Sequence, residues 1–369
     1  MPDTPAALPG SSVPEPSVPE PLPPEPFGPA PSEDLAVCFP ALAGLRASVE
    51  RRDWAAVDAF FADLDEEDDR AAASLVVRRA EGALGFLLGV ADGSSGPVLA
   101  RVLLADTLIA AGWAVRSDAR AKDVSREQFS SSHDYLRRAE QLLIDVVADD
   151  PGCALAWYLR ITTARGLELG QAEARRRYDR LAEHRPHFFA AQAQLLQQLC
   201  PKWSGTWDAV HAFARECLKD APAGGLGAGV TAHAYIEHWL DLDGGADDAL
   251  LRDPDSIAEL RDAARRLVGA PVLGRGYHRP TAHGGFAFLF GELRRPADTT
   301  PHFDVLAACP SLGGSPLPWD CLGGGAVRSY TGWHDWMAKQ DTVAGQHTTA
   351  GQDTSAGDAG GRADEERRQ

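Results

Sequence analysis

Apolar residues recur every three or four positions through most of the chain, the period of helices that bury one face. Trp54, Val57, Phe60, Phe61 and Leu64 fall on one such face, with Asp53 in front of them as a cap. A longer apolar segment runs from about Asp69 to Val90. Gly96-Pro97 opens the next, because a proline in a first helical turn loses no hydrogen bond; Val98, Leu99, Val102, Leu103, Leu108, Ile109 and Trp113 follow. Arg116–Val124 reads as a polar connector. Ser125 and Gln128 then have the spacing of a capping box, and their helix turns Phe129, Leu136, Leu143 and Val147 inward. Further helices are expected at 153–169, 171–184, 187–199, 206–219, 228–242, 254–268, 281–293 and 296–308, with Pro254 and Pro296 in first turns and Asp253 as a cap. No run alternates in the manner of a strand, so the expected fold class is all-α.

Three prolines punctuate this pattern. Pro151, Pro186 and Pro222 each close a helical stretch, 35 and 36 residues apart. Two apolar-periodic segments per interval of that length describe helical hairpins, none of which can bury its apolar face alone. The expectation is an elongated α-solenoid of stacked hairpins over residues 35–338, with a concave surface.

Composition separates the ends from this body. Residues 1–34 form a Pro/Glu-rich tail, with twelve prolines in the first 31 positions. Residues 339–369 are mostly Gly, Ala, Thr, Gln, Asp and Arg. Both lack the large apolar groups needed to offset chain entropy, so both are expected to be disordered. The net charge of −17 disfavours phosphate backbones and anionic lipid, so neither nucleic acid nor membrane is an expected partner. The six cysteines stand singly without a C-x-x-C pair, and the N-terminus lacks a basic start followed by an apolar run. A cytoplasmic protein is the expectation; the oligomeric state is not legible.

Residues 153–186 resemble a degenerate tetratricopeptide repeat: Trp157-Tyr158 supply the first-helix aromatic, Ala174 the small second-helix residue, Tyr178 the next aromatic, and Pro186 the close. Thr162 and Arg165 depart from that pattern, and residues 187–222 keep only length, helix pair and closing proline. Over most of 54–330 the chain resembles an uncharacterised bacterial family of α-helical repeat proteins. The stretches that carry this are Gly112–Arg116, Pro201–Gly205, Ala232–Trp239, Gly285–Phe288 and Pro318-Trp319. The resemblance implies a helical-repeat fold and no reaction.

Candidate chemistry is sparse. His233 and Glu237 share a helical face at i and i+4, whereas His238 lies some 140° round from His233. A zinc helix needs two histidines one turn apart, so no metal is assigned. His184 and His187 flank Pro186 in a turn. Trp203 and Trp207 flank a helix entry that Ser204 or Thr206 would cap; they suit a brace between repeats or an anchor for a partner. The glycines at 224–229 lack the lysine of a phosphate loop. No catalytic residue or cofactor is expected. The leading expectation is a non-catalytic protein–protein interaction or adaptor protein, its surface including Trp203, Trp207, His233, Glu237 and His238. The alternative is a small-molecule-binding protein, or a metal-dependent hydrolase, using the His233/Glu237/His238 helix.

Overall fold

The computed structural model describes residues 32, 34–93, 95–116, 124–242, 249–309, 318, 319 and 325–353. These residues form seventeen α-helices and no strand. The first five are α1 (Leu35–Cys38), α2 (Pro40–Glu50), α3 (Trp54–Ala62), α4 (Glu67–Arg79) and α5 (Ala83–Ala91). Then come α6 (Val98–Arg116), α7 (Arg126–Asp149), α8 (Ala154–Gly166), α9 (Gln171–Ala182) and α10 (Phe189–Leu199). The remainder are α11 (Trp207–Asp220), α12 (Ala228–Asp241), α13 (Ala249–Arg252), α14 (Pro254–Leu267), α15 (Arg279–Glu292), α16 (Pro296–Ala308) and α17 (Ala326–Asp353).

The starts of these helices are fixed by the local chemistry read from the sequence. The Asp53 carboxylate accepts from the Ala56 amide, and Ser125 and Gln128 close a complete capping box. Of the two candidate caps before α11, Thr206 is the one used: its hydroxyl accepts from Ala209, while Ser204 adopts a left-handed turn. Asp253 caps α14 ahead of Pro254, and Pro296 opens α16.

Neighbouring helices pack as hairpins, with α6 against α7, α8 against α9, α11 against α12 and α15 against α16. One buried core runs through them from Leu35 to Met337. The α6 helix is long and apolar enough to span a bilayer by length and composition, yet most of it is buried, packed against α4, α5 and α7.

Three expectations require correction or extension. The segment from Asp69 to Val90 is two helices, because Gly82 takes a left-handed φ of 73° that a continuing helix does not allow. The last helix, Ala326–Asp353, begins inside the expected body and ends beyond its expected boundary at 338. The array is also not a line in which each hairpin meets only its neighbours. Asp69 at the start of α4 accepts from the backbone amides of Arg275 and, at 2.9 Å, Tyr277, more than 200 residues away. The Tyr277 ring meets Phe39 edge-on at 4.8 Å, and Arg275 pairs with Asp63. The early helices thus close against the segment leading into α15. The connector expected at 116–124 falls almost wholly outside the described residues, as do residues 1–31 and 354–369 of the expected tails.

Candidate functional site

The closure leaves a cavity of about 300 Å³ where α4, α10, α12 and α15 begin. That volume is at the small end of ligand pockets. Its wall combines the acidic run Asp65–Asp69, the turn 185–188, the glycine turn before α12, and the strap 272–279. The strap and glycine turn touch so closely that a Cβ on Gly224 would overlap the Pro271 carbonyl. Val272 and Leu273 sit exposed at the rim, giving part of the wall an apolar character.

Two of the acidic groups already have partners. Glu67 lies 3.5 Å from Arg185, and Asp69 is committed to the backbone of Arg275 and Tyr277. Asp68 is different. Its two oxygens accept from the amides of Phe189 (3.2 Å) and Ala190 (2.9 Å), so a side chain from α4 caps α10 across 121 residues of sequence. Among the described residues no cation pairs with it. Burial drives its pKa up to about 7, the neighbouring Asp69 and Glu66 push the same way, and the two amides only partly offset them.

The opposite wall holds complementary unmet groups. Both ring nitrogens of His278 are shut off from solvent without a hydrogen-bond partner, and burial lowers its pKa to about 4, so the ring is neutral at pH 7. A neutral imidazole offers one donor and one acceptor, and neither is used. The Nη1 of Arg279 is likewise buried and unpartnered. Burial lowers the Arg279 pKa. Buried polar groups are ordinarily satisfied, so three such groups around one cavity mark it as a place built for something to enter.

The residues singled out from sequence are placed elsewhere, in part. His233 packs against Phe189, whose ring also meets His278, so it lies behind the cavity wall. Burial lowers its pKa. Glu237, one turn on, is held by Lys202 at 2.6 Å and by Gln197. His238 faces away from both: it stacks on Trp207 at 4.3 Å and shares a 2.9 Å hydrogen bond with His211. Trp207 also donates to Asp241 at 3.1 Å. Trp207, Glu237, Lys202 and Asp241 line a shallow depression whose polar groups satisfy one another. Trp203 is not part of it, being packed edge-on against Trp113 with Arg116 and Arg165 each 5.8 Å from its ring. Both tryptophans are half-buried braces between helices. Of the turn histidines, His187 lines the cavity and His184 is exposed. Among the described residues, no three His, Cys, Asp or Glu side chains are grouped to hold a metal ion.

Sequence reasoning passed over Asp68, His278 and Arg279. Five consecutive acids at 65–69 look like the solvated first turn of a helix, where negative charge is favourable in any case. The only available signal was the count: one helix start does not need five. Compared with known protein families, with characterised proteins and with solved structures, the chain matches none.

Proposed function

We propose that this is a non-catalytic recognition protein, built on tetratricopeptide-like hairpins, that captures a ligand carrying an ammonium group in the cavity between α4 and α15. The observation that carries the reading is Asp68, a carboxylate on the cavity wall with two backbone donors and no cation. An incoming ammonium supplies the missing charge and donates to Asp68, while the unused acceptor nitrogen of His278 can take another of its protons. Nothing in the wall calls for a bond-making step. A protein partner on the face around Trp207 has weaker support, because the polar groups there are already paired. A cytoplasmic setting belongs to the same proposal and is supported by the unpaired thiols of Cys38 and Cys309, which lie side by side as free cysteines.

Calorimetric titration with pentylamine tests the reading. Wild type should bind it, and Asp68→Asn should bind it at least about ten-fold more weakly. The ammonium needs Asp68 ionised, so affinity should fall about ten-fold per pH unit below the carboxyl's pKa of about 7 and level off above it. Equal binding by Asp68→Asn, or no binding by wild type at pH 8, overturns the proposal.

A further inference from the structure

The proposed ammonium site accounts for one wall of the cavity and leaves the other unexplained. Arg279 stands in the first turn of α15 and lines the cavity, with a buried, unpartnered Nη1. A buried guanidinium nitrogen without an acceptor is costly, and the cost is removed only by an anion or a hydrogen-bonding oxygen. Among the described residues no ion pair joins Arg279 to a carboxylate, and burial lowers its pKa. Glu67 is paired with Arg185, and Asp69 accepts from backbone amides. His278, immediately before Arg279, adds an unused ring donor on the same side. The lining also includes the apolar side chains of Phe188, Leu226, Val272 and Leu273.

We infer that the ligand is a zwitterion, an amino acid whose ammonium goes to Asp68 and whose carboxylate goes to Arg279 and His278, with an apolar chain between them. This rests on the ammonium reading above and adds the second charge. A carboxylate offers Arg279 an acceptor of matching planar geometry and gives the His278 ring an acceptor for its donor nitrogen. The recognised chemistry is therefore two opposite charges held apart, and neither a simple amine nor a simple acid satisfies both walls.

The test compares 5-aminopentanoate with pentylamine, which differ only in the carboxylate, by calorimetry at pH 8. Wild type should bind 5-aminopentanoate at least about ten-fold tighter, the scale of one charge-assisted pair. Arg279→Gln, shown folded by circular dichroism, should weaken 5-aminopentanoate to the level of pentylamine and leave pentylamine unchanged. Arg279→Lys keeps the charge without the fork and should retain part of the preference. Equal affinity of wild type for the two compounds overturns the zwitterion while leaving the ammonium site standing. Equal weakening of both by Arg279→Gln also overturns it, since the residue is then structural. Binding of neither compound overturns both readings. Should Arg279→Gln fail to fold, the two wild-type titrations decide the matter alone.

Discussion

Two clusters of charged and polar side chains in this molecule end in opposite states. Between α7, α8 and α9, Glu140 accepts from Arg160 at 2.9 Å, from Arg177 at 3.0 Å and from Thr163. Arg177 spends its remaining donors on Glu173 and the Arg160 carbonyl, and Arg176 and Arg177 together hold the Glu173 carboxyl down near 2. Both oxygens of Glu140 are used. At the cavity, by contrast, Asp68 has no cation among the described residues, and the Arg279 Nη1 and both His278 ring nitrogens have no hydrogen-bond partner there. The closed cluster ties three consecutive helices of the array together, and its chemistry is complete. The open one sits where sequence-distant helices meet, and its chemistry is incomplete until something outside the chain supplies it. Charge burial alone does not mark a functional site; unspent donors and acceptors grouped around a cavity are the stronger sign.

The largest way to test that contrast is Glu140→Ala. It leaves two guanidinium groups buried without their shared carboxylate, and breaking such a network costs about 3–5 kcal/mol. Denaturant unfolding should show a loss of that size. A loss under about 1 kcal/mol, the range of an exposed pair, would mean the cluster is not closed.

Asp68→Asn should do the reverse. The carboxyl's pKa in the fold, about 7, lies above its ordinary value of 3.8, so the folded chain holds this proton more tightly than the unfolded one. Stability is therefore lost as pH rises from about 4 to about 7, by at most about 4 kcal/mol, and by less because the cavity admits water. The groups facing Asp68 fit that sign. Glu66 and Asp69 on its own helix disfavour the charge; the Phe189 and Ala190 amides on α10 partly relieve it; Arg185 is engaged with Glu67; and His278 across the cavity is neutral. Asparagine removes the charge and keeps one of the two cap bonds on α10, because its amide nitrogen cannot accept from the second backbone N–H. Thermal unfolding should place Asp68→Asn above wild type at pH 8, with the two curves meeting near pH 4. A variant less stable than wild type at pH 8 would make Asp68 a structural group like Glu140.

The asymmetry between these clusters also explains what the sequence could reveal. Helices were legible because their signals are local: Asp53, Ser125, Thr206 and Asp253 each act within three residues of themselves. The break at Gly82 was missed because apolar residues continue on both sides of it and only the backbone angle changes. The cavity was not legible because its parts meet across the closure. Asp68 touches residues 121 and 122 positions away, and Asp69 reaches 206 and 208 positions away. Hairpin spacing says how neighbours stack and carries no information on whether the early helices return to the late ones. The aromatic and histidine positions that stood out, Trp203, Trp207 and His238, stood out for bulk and rarity, and they found their partners inside the fold.

Those partners set the smallest effect. Trp207→Ala removes the stack on His238 and the hydrogen bond to Asp241, both on a half-exposed surface. An aromatic contact and one such hydrogen bond are each worth about 1 kcal/mol, so unfolding should shift by about 1–2 kcal/mol. Ligand affinity at the cavity should stay within about two-fold, because every polar group in the Trp207 depression is satisfied by a neighbour there and none lines the cavity. A Trp207→Ala protein that keeps its stability but loses pentylamine would reverse the assignment. The depression would then be the open site, and the paired groups Lys202 and Glu237 would be the ones that separate to admit a ligand.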